Sequence, residues 1–330
     1  MVIQQAVTSN TQAPLAIPEA LTNKTQRLLA GLKACDGSAD HSYEVVEAQI
    51  NNMKYFVQEL ERSWDRTAGE ANATRVWFRT ETAPVLQMGR LMRRANVWPE
   101  GHPGDYITLE AVYENRPEGE GLARHLDRYF LSRTLAVALR ARKRKLAEIL
   151  NRRAAEDVRN SNWLNLACGS CRELLCVPPQ AGRVIHCLDT DQNALNYAKS
   201  LLGERPDERI EFHAANAFRL LDARRNIERF GLFTTIYSAG LFDYMTDDKM
   251  VRLLSGLRES LAEGGLLIAP IKDAKCYETF DYHWLAKWDH FLQREEADFL
   301  RILVSAGFSE SDITTERDDS GVIVFFMARR

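Results

Sequence analysis

Residues 162–189, NWLNLACGSCRELLCVPPQAGRVIHCLD, place the tightest limit on the fold. A short apolar run, Trp163 to Ala167, enters a small-residue turn at Cys168, Gly169 and Ser170. A short helical segment follows, and a second apolar run, Val184 to Leu188, ends on Asp189. Strand, tight turn, helix, strand and terminal acid is the order needed where a nucleoside-bearing ligand lies across the carboxyl ends of parallel strands. The turn lets backbone approach the ligand, and the acid accepts hydrogen bonds from ribose hydroxyls.

The alternation continues downstream. Apolar runs at 183–188, 210–214, 233–238 and 266–271 read as strands, and helical patterns at 193–202, 249–261 and 295–306 separate or follow them. Strands spaced by helices in this way predict a mainly parallel sheet covered on both faces. The closing pair, 313–316 and 322–328, is joined by Asp318, Asp319, Ser320 and Gly321, a turn that predicts an antiparallel hairpin at the sheet end. The fold class is therefore α/β and Rossmann-like over residues 151–330.

Upstream the pattern is helical. Residues 1–17 are polar and aperiodic and predict a poorly ordered arm. Residues 18–150 predict an all-helical lid or substrate domain: helices at 18–33 and 42–64, one from Pro84 to Arg94, and a long pattern from Gly121 to Glu156 that needs a bend or break. Between the last two lies VWPEGHPGDYITLEAVYENRPEGEG, residues 97–121. Its prolines and glycines enclose Tyr106, Ile107, Leu109 and Tyr113, so it reads as a structured loop around a short helix at 107–113, placed to close over a ligand.

Composition narrows the partners. The 330 residues are 45% hydrophobic with a formal charge of -3, which gives no bulk electrostatic case for nucleic acid. RARKRK at 140–145 reads as the solvated side of a helix. Cysteines at 35, 168, 171, 176, 187 and 276 suit buried thiols in a reducing compartment, and no fourth ligand accompanies Cys168, Cys171 and Cys176, so no metal is expected. No run is long enough to insert in a membrane and the amino terminus carries no signal pattern, which makes the cytoplasm the expected compartment.

The ordered features over residues 160–330 resemble the class I S-adenosylmethionine-dependent methyltransferases. In that family the first strand carries an acid and a glycine triplet. Here Asn165 stands for the acid, Gly169 keeps the central glycine, and Ala167 and Cys171 replace the outer ones. The resemblance implies S-adenosylmethionine as cofactor, with Asp189 on the ribose and Thr190 beside it, Asn216, Ala217 and Phe218 around adenine, and Ser238 in the loop after the fourth strand, facing the methionyl part. The Asn/Asp-Pro-Pro-Tyr signature of amide and adenine methylation is absent from that loop.

HPGDYITLEAVYENRP, LNLACGS and YSAGLFDYMTD resemble a bacterial subgroup with a helical amino-terminal extension. It includes proteins linked to methyl ester formation on 3-hydroxy fatty acids and enzymes that cyclise S-adenosylmethionine to azetidine-2-carboxylic acid. Two chemistries follow. Methyl transfer to a small acid or lipid-like acceptor needs alignment and, for some acceptors, a base. Cyclisation needs a curled methionyl chain, a neutral amine and aromatic faces on the sulfonium. Tyr106, Tyr113, Phe242, Tyr244, Tyr277 and Trp284 suit either. Tyr106 and Tyr244 are the foremost catalytic candidates, Asp243 is a candidate base, Glu110 a candidate for the cofactor's ammonium, and His283 another base. A cofactor-sensing module without turnover is the non-enzymatic alternative, and a shared lid would give a homodimer.

Overall fold

A computed structural model describes residues 16–35, 40–157, 160–288 and 292–330; most of the arm predicted at 1–17 lies outside them. The described chain divides into two compact units. One holds the residues up to Val97 with 117–129 and 279–287; the other holds 98–116, 130–278 and 288–330. The division does not fall near residue 150. The loop at 98–116 and the helix that ends at Glu156 go with the sheet instead, because their apolar faces are buried there.

In the first unit α1 (Glu19–Lys33) buries Leu21, Leu28 and Leu32, and α2 (Asp40–Arg62) buries Ile50, Met53 and Val57 as the spacing predicts, with Val46 in the core where the spacing points to Val45, and with Val45 and Leu60 half-buried. A capping box at Thr67 and Glu70 opens α3 (Ala68–Leu86). The proposed helix start at Pro84 is corrected: Pro84 lies inside the last turn of α3, and the break comes at Gly89, before α4 (Arg90–Val97). A Cβ on Gly89 would stand 2.8 Å from Leu126 Cβ, so close packing fixes the break there rather than the proline. Trp284 also belongs to this unit, 1% exposed, stacked on Trp64 at 5.9 Å and donating through its Nε1 to Glu61 at 3.0 Å. It is core, which corrects its place among the acceptor-binding aromatics. His283 sits in the same helical turn, and its carbonyl accepts from Arg79.

The second unit is built on a seven-stranded sheet of order β3-β2-β1-β4-β5-β7-β6. Its strands are β1 (Asn162–Leu166), β2 (Val184–Asp189), β3 (Arg209–Ala214), β4 (Phe233–Ser238), β5 (Leu261–Lys272), β6 (Ile313–Arg317) and β7 (Ile323–Arg329). β1 to β5 are parallel, and β7 runs antiparallel to both β5 and β6, so the predicted mainly parallel sheet with a terminal hairpin is the fold. Leu164, Leu166, Ile236, Leu267 and Val324 are buried in one cluster with Leu253, Leu257, Phe299 and Leu303. Strands covered on both faces need such continuous apolar runs. Truncating one of these leucines to alanine would cost about 2–5 kcal/mol.

The long helical pattern breaks as the sequence requires, into α6 (Gly121–Ser132) and α7 (Thr134–Glu156) with Arg133 extended between them. The short helix in the loop is α5 (Tyr106–Glu114), capped by Asp105 Oδ1, which accepts from Thr108 N–H at 2.9 Å, and ended by left-handed Asn115. The sheet is completed by α8 (Gln192–Leu202), α9 (Ala223–Phe230), α10 (Asp247–Ser260) and α11 (Glu296–Ser305). Because β1 to β4 are parallel, the turns that follow them all open on one edge of the sheet. The strand order reverses between β1 and β4, and ligands of open α/β sheets bind at such a point.

Candidate cofactor and acceptor site

The turn after β1 is held by backbone. Cys168 N–H donates to the Leu188 carbonyl at 3.1 Å and Cys171 N–H to the Cys168 carbonyl at 3.0 Å. Ala167, Gly169 and Cys171 take left-handed φ values of 48°, 54° and 53°. For the two non-glycines this costs about 1–2 kcal/mol each. A Cβ built on Gly169 would meet nothing within 4 Å, so the space above the turn is open to a ligand.

Asp189 lies beside this turn. Its Oδ2 accepts from Gly169 N–H at 2.8 Å and its Oδ1 from Asp191 N–H at 3.0 Å. Each oxygen keeps a further lone pair, which is what two ribose hydroxyls require. Asp191 Oδ1 caps α8 through Asn193 N–H at 2.8 Å, while its Oδ2 is buried with no hydrogen-bond partner. An orphaned acceptor one step from Asp189 fits a hydroxyl-bearing ligand at this edge. Thr190, between them, is exposed.

Beneath the turn the sequence reading of Asn165 takes a different meaning. Asn165 is 1% exposed and donates through Nδ2 to Glu173 Oε1 at 2.9 Å; Tyr237 OH donates to the same oxygen at 3.2 Å. Burial pushes the Glu173 carboxyl up to about 8, so it is neutral near pH 7. An acid at position 165 would face this carboxyl, and asparagine supplies a donor in its place.

Two groups of side chains stand close enough to share an ion. Among the described residues the sulfurs of Cys168, Cys171 and Cys187 converge within 4.8 Å; burial raises the Cys168 thiol, while hydrogen bonds from Cys168 and Cys171 lower that of Cys187 to about 6. Cys187 escapes a reading by spacing because it reaches the others across the sheet. His186 Nδ1 lies 3.1 Å from His213 Nε2 and 3.2 Å from Glu211 Oε2, on one face of β2 and β3. Burial lowers both imidazoles.

Glu110 of α5 meets the turn directly. Its carboxylate, 6% exposed as a residue, accepts from Ser170 Oγ at 2.6 Å, from Tyr197 OH at 3.0 Å and from the Arg172 guanidinium. The loop therefore does fold inward, and three donors take the carboxylate considered for the cofactor's ammonium. Ser170, Arg172 and Tyr197 carried no signal in the sequence, since 60 or more residues separate each from Glu110. Tyr106 packs its ring on Tyr197 at 5.3 Å. Tyr244 is 42% exposed, and its hydroxyl lies 3.3 Å from where a Cβ on Gly104 would stand.

The remaining candidates follow β3 and β4. Asn216 Oδ1 accepts from Phe218 N–H at 2.9 Å, Ala217 is buried, and Phe218 leaves 37% of its surface exposed. Ser238 is fully buried, its Oγ accepting from Leu241 N–H at 3.2 Å. Asp243 is buried and ion-paired with Lys272 of β5.

A strand order with one antiparallel strand, and a left-handed turn beside a strand-end acid at its reversal point, are those of a class I methyltransferase fold. A family profile described as "Putative methyltransferase" matches residues 55–273, and the chain belongs to that family. S-adenosylmethionine is the cofactor of the class. No curated protein matches the sequence. Among solved structures, a protein from Bordetella parapertussis described as a possible exported protein is 17% identical, with 96% of this chain and 99% of that chain covered and a TM-score of 0.57. Magnesium protoporphyrin IX methyltransferase from Synechocystis with bound S-adenosylmethionine is 14% identical over 59% of this chain and 83% of its own, with a TM-score of 0.43. The N-methyltransferase NodS from Bradyrhizobium japonicum with S-adenosyl-L-homocysteine is 15% identical over 57% and 87%, with a TM-score of 0.40. Among the described residues no helix is long and apolar enough to cross a membrane.

Proposed function

We propose that this protein methylates a small molecule that sits outside the carboxyl ends of β1 and β4, beneath the 98–116 loop. The observation that carries this reading is the pair of bonds that Glu110 and Asp189 make to consecutive turn residues, Ser170 and Gly169. One fixes the nucleoside edge and the other fixes a cover over it. When bound, S-adenosylmethionine supplies an electrophilic methyl group on a sulfonium.

The chain's own contribution is placement and exclusion of water. Asp189 and Asp191 hold the ribose hydroxyls. Phe218 offers a flat apolar face to adenine, and Asn216 and Ala217 shape the same wall. Gly169, with Ala167 before it, lets backbone lie against the ligand, and Thr190 and Ser238 edge the crevice. Asn165 acts from below, by holding Glu173. Glu110 is a positioning residue, because its carboxylate is spent on Ser170, Arg172 and Tyr197. Tyr106 and Tyr244 present a ring and a hydroxyl from the loop and from the turn after β4. Asp243, ion-paired with Lys272, shapes that turn. Six unpaired cysteines favour a reducing compartment such as the cytoplasm.

A second reading is favoured by the Tyr106–Tyr197 ring pair beside the turn. Here S-adenosylmethionine is itself the substrate. Its amine, having lost a proton, attacks its own γ-carbon, the carbon–sulfur bond breaks, and methylthioadenosine leaves with the electron pair while azetidine-2-carboxylic acid forms. Incubation with S-adenosylmethionine alone, read by mass spectrometry, separates the two. An intact cofactor that yields S-adenosylhomocysteine once small acids or lipids are added supports methyl transfer. Catalytic methylthioadenosine with a cyclic amino acid replaces it by cyclisation.

A further inference from the structure

The basic run at 140–145 is not a uniformly solvated face. Arg140 donates to the Leu131 carbonyl at 3.0 Å, Lys143 lies 5.1 Å from the Tyr113 ring, Arg144 reaches Asp319 at 3.4 Å, and Lys145 pairs with Glu316 at 2.7 Å. Arg142 differs. It is 4% exposed, makes no hydrogen bond or ion pair with a described residue, and its Nε is buried without a partner. A buried guanidinium without a counter-charge is costly, and such charges in native proteins are paired or bound.

Its place in the fold says what pairs with it. The guanidinium packs on the backbone of Gly240, in the turn after β4; a Cβ there would stand 2.7 Å from its Nη1. That turn borders the point between β1 and β4 where the strand order reverses. The neighbouring charges are Asp243 and Lys272, which neutralise each other, so the guanidinium's positive charge is left over. Burial raises the Tyr244 hydroxyl, and the Arg142 charge acts on it in the opposite direction. A planar guanidinium matches a carboxylate in geometry as well as charge.

We propose that Arg142 is the carboxylate receptor of the crevice, a role that rests on the reading of this edge as the cofactor and acceptor site. The carboxylate has two sources, the methionyl end of the cofactor or an acidic acceptor. The full chain, with Arg142→Gln and Arg142→Lys, distinguishes them by calorimetry. S-adenosylhomocysteine carries the carboxylate, and methylthioadenosine shares the nucleoside and sulfur but lacks it. If the cofactor is the source, Arg142→Gln weakens S-adenosylhomocysteine roughly ten- to hundredfold, leaves methylthioadenosine unchanged, and Arg142→Lys recovers part of the loss. If the acceptor is the source, both nucleosides bind as before, and octanoate titrated into the S-adenosylhomocysteine complex binds the wild type and not Arg142→Gln. Gly240→Ala, which drives a methyl group into the guanidinium without removing its charge, should reproduce whichever loss is seen. Wild-type behaviour of Arg142→Gln toward S-adenosylhomocysteine, with no octanoate binding that depends on Arg142, overturns the proposal. Failure of the wild type to bind either nucleoside removes instead the cofactor reading on which it rests.

Discussion

Ser170 Oγ donates to Glu110 Oε1 at 2.6 Å, and through that bond the loop at 98–116 is fastened to the turn after β1. The bond is buried, and it joins residues 60 positions apart. Replacing Glu110 by glutamine leaves the shape but loses the charge that Arg172 and Tyr197 also address. We expect faster amide exchange across α5 and a loss of S-adenosylhomocysteine affinity of about tenfold, since a charged hydrogen bond is worth about 1.5–3 kcal/mol. Hydrogen exchange by mass spectrometry checks the first, and unaltered exchange in α5 would detach the loop from the turn.

Glu173 gives a pH dependence of stability. Its folded pKa, about 8, lies above the ordinary value of 4.5, so the folded state holds a proton that the unfolded chain has released. The stability attached to this carboxyl is therefore complete below pH 4.5 and is lost progressively as pH rises to about 8. The full effect is on the order of 5 kcal/mol, at about 1.4 kcal/mol per pKa unit. Glu173→Gln cannot ionise. In urea unfolding it should match the wild type near pH 5 and exceed it near pH 8; a gap that does not change with pH would mean that Glu173 is already ionised.

Ala167 carries a left-handed φ of 48° with a side chain that disfavours it. Glycine relieves that cost and adds some unfolded-state entropy. Ala167→Gly should raise stability by up to about 1 kcal/mol. Equilibrium unfolding measures this, and a destabilised variant would show that the methyl group packs more than it strains.

Tyr106 packs its ring on Tyr197, and the Tyr244 hydroxyl lies beside Gly104, two residues from Tyr106. Tyr106→Phe and Tyr244→Phe should slow single-turnover consumption of S-adenosylmethionine about tenfold or more and change its binding little. Equal rates in both variants would remove the hydroxyls from the mechanism and leave the rings.

Much of this architecture was legible because it is local. The apolar runs that became β1 to β5 and the need for a break within 121–156 each express neighbours in sequence, whereas the Asp105 cap on α5 and the place of the break, at Arg133, come from the structure. Helix α9 was not legible, because ARRNIERF buries only Ala223 and Asn226 and reads as a polar connection. The site was legible on one side. Gly169 and Asp189 follow from strand, turn and strand, whereas the partners of Glu110, the meeting of Cys187 with Cys168, and the burial of Arg142 within a run of like charges depend on contacts across the sheet. Asn165 shows the limit most plainly, since its position was clear but its partner, a neutral Glu173, was not.

Asp189 and the turn at Gly169 are proposed as the nucleoside edge on which the rest of the site depends. The direct test is calorimetric titration of S-adenosylhomocysteine into the wild type and Asp189→Ala. The account predicts binding to the wild type and a loss on the order of a hundredfold in the variant, the worth of two hydrogen bonds to a charged acceptor. Equal affinity in the two proteins would place the nucleoside elsewhere and contradict it.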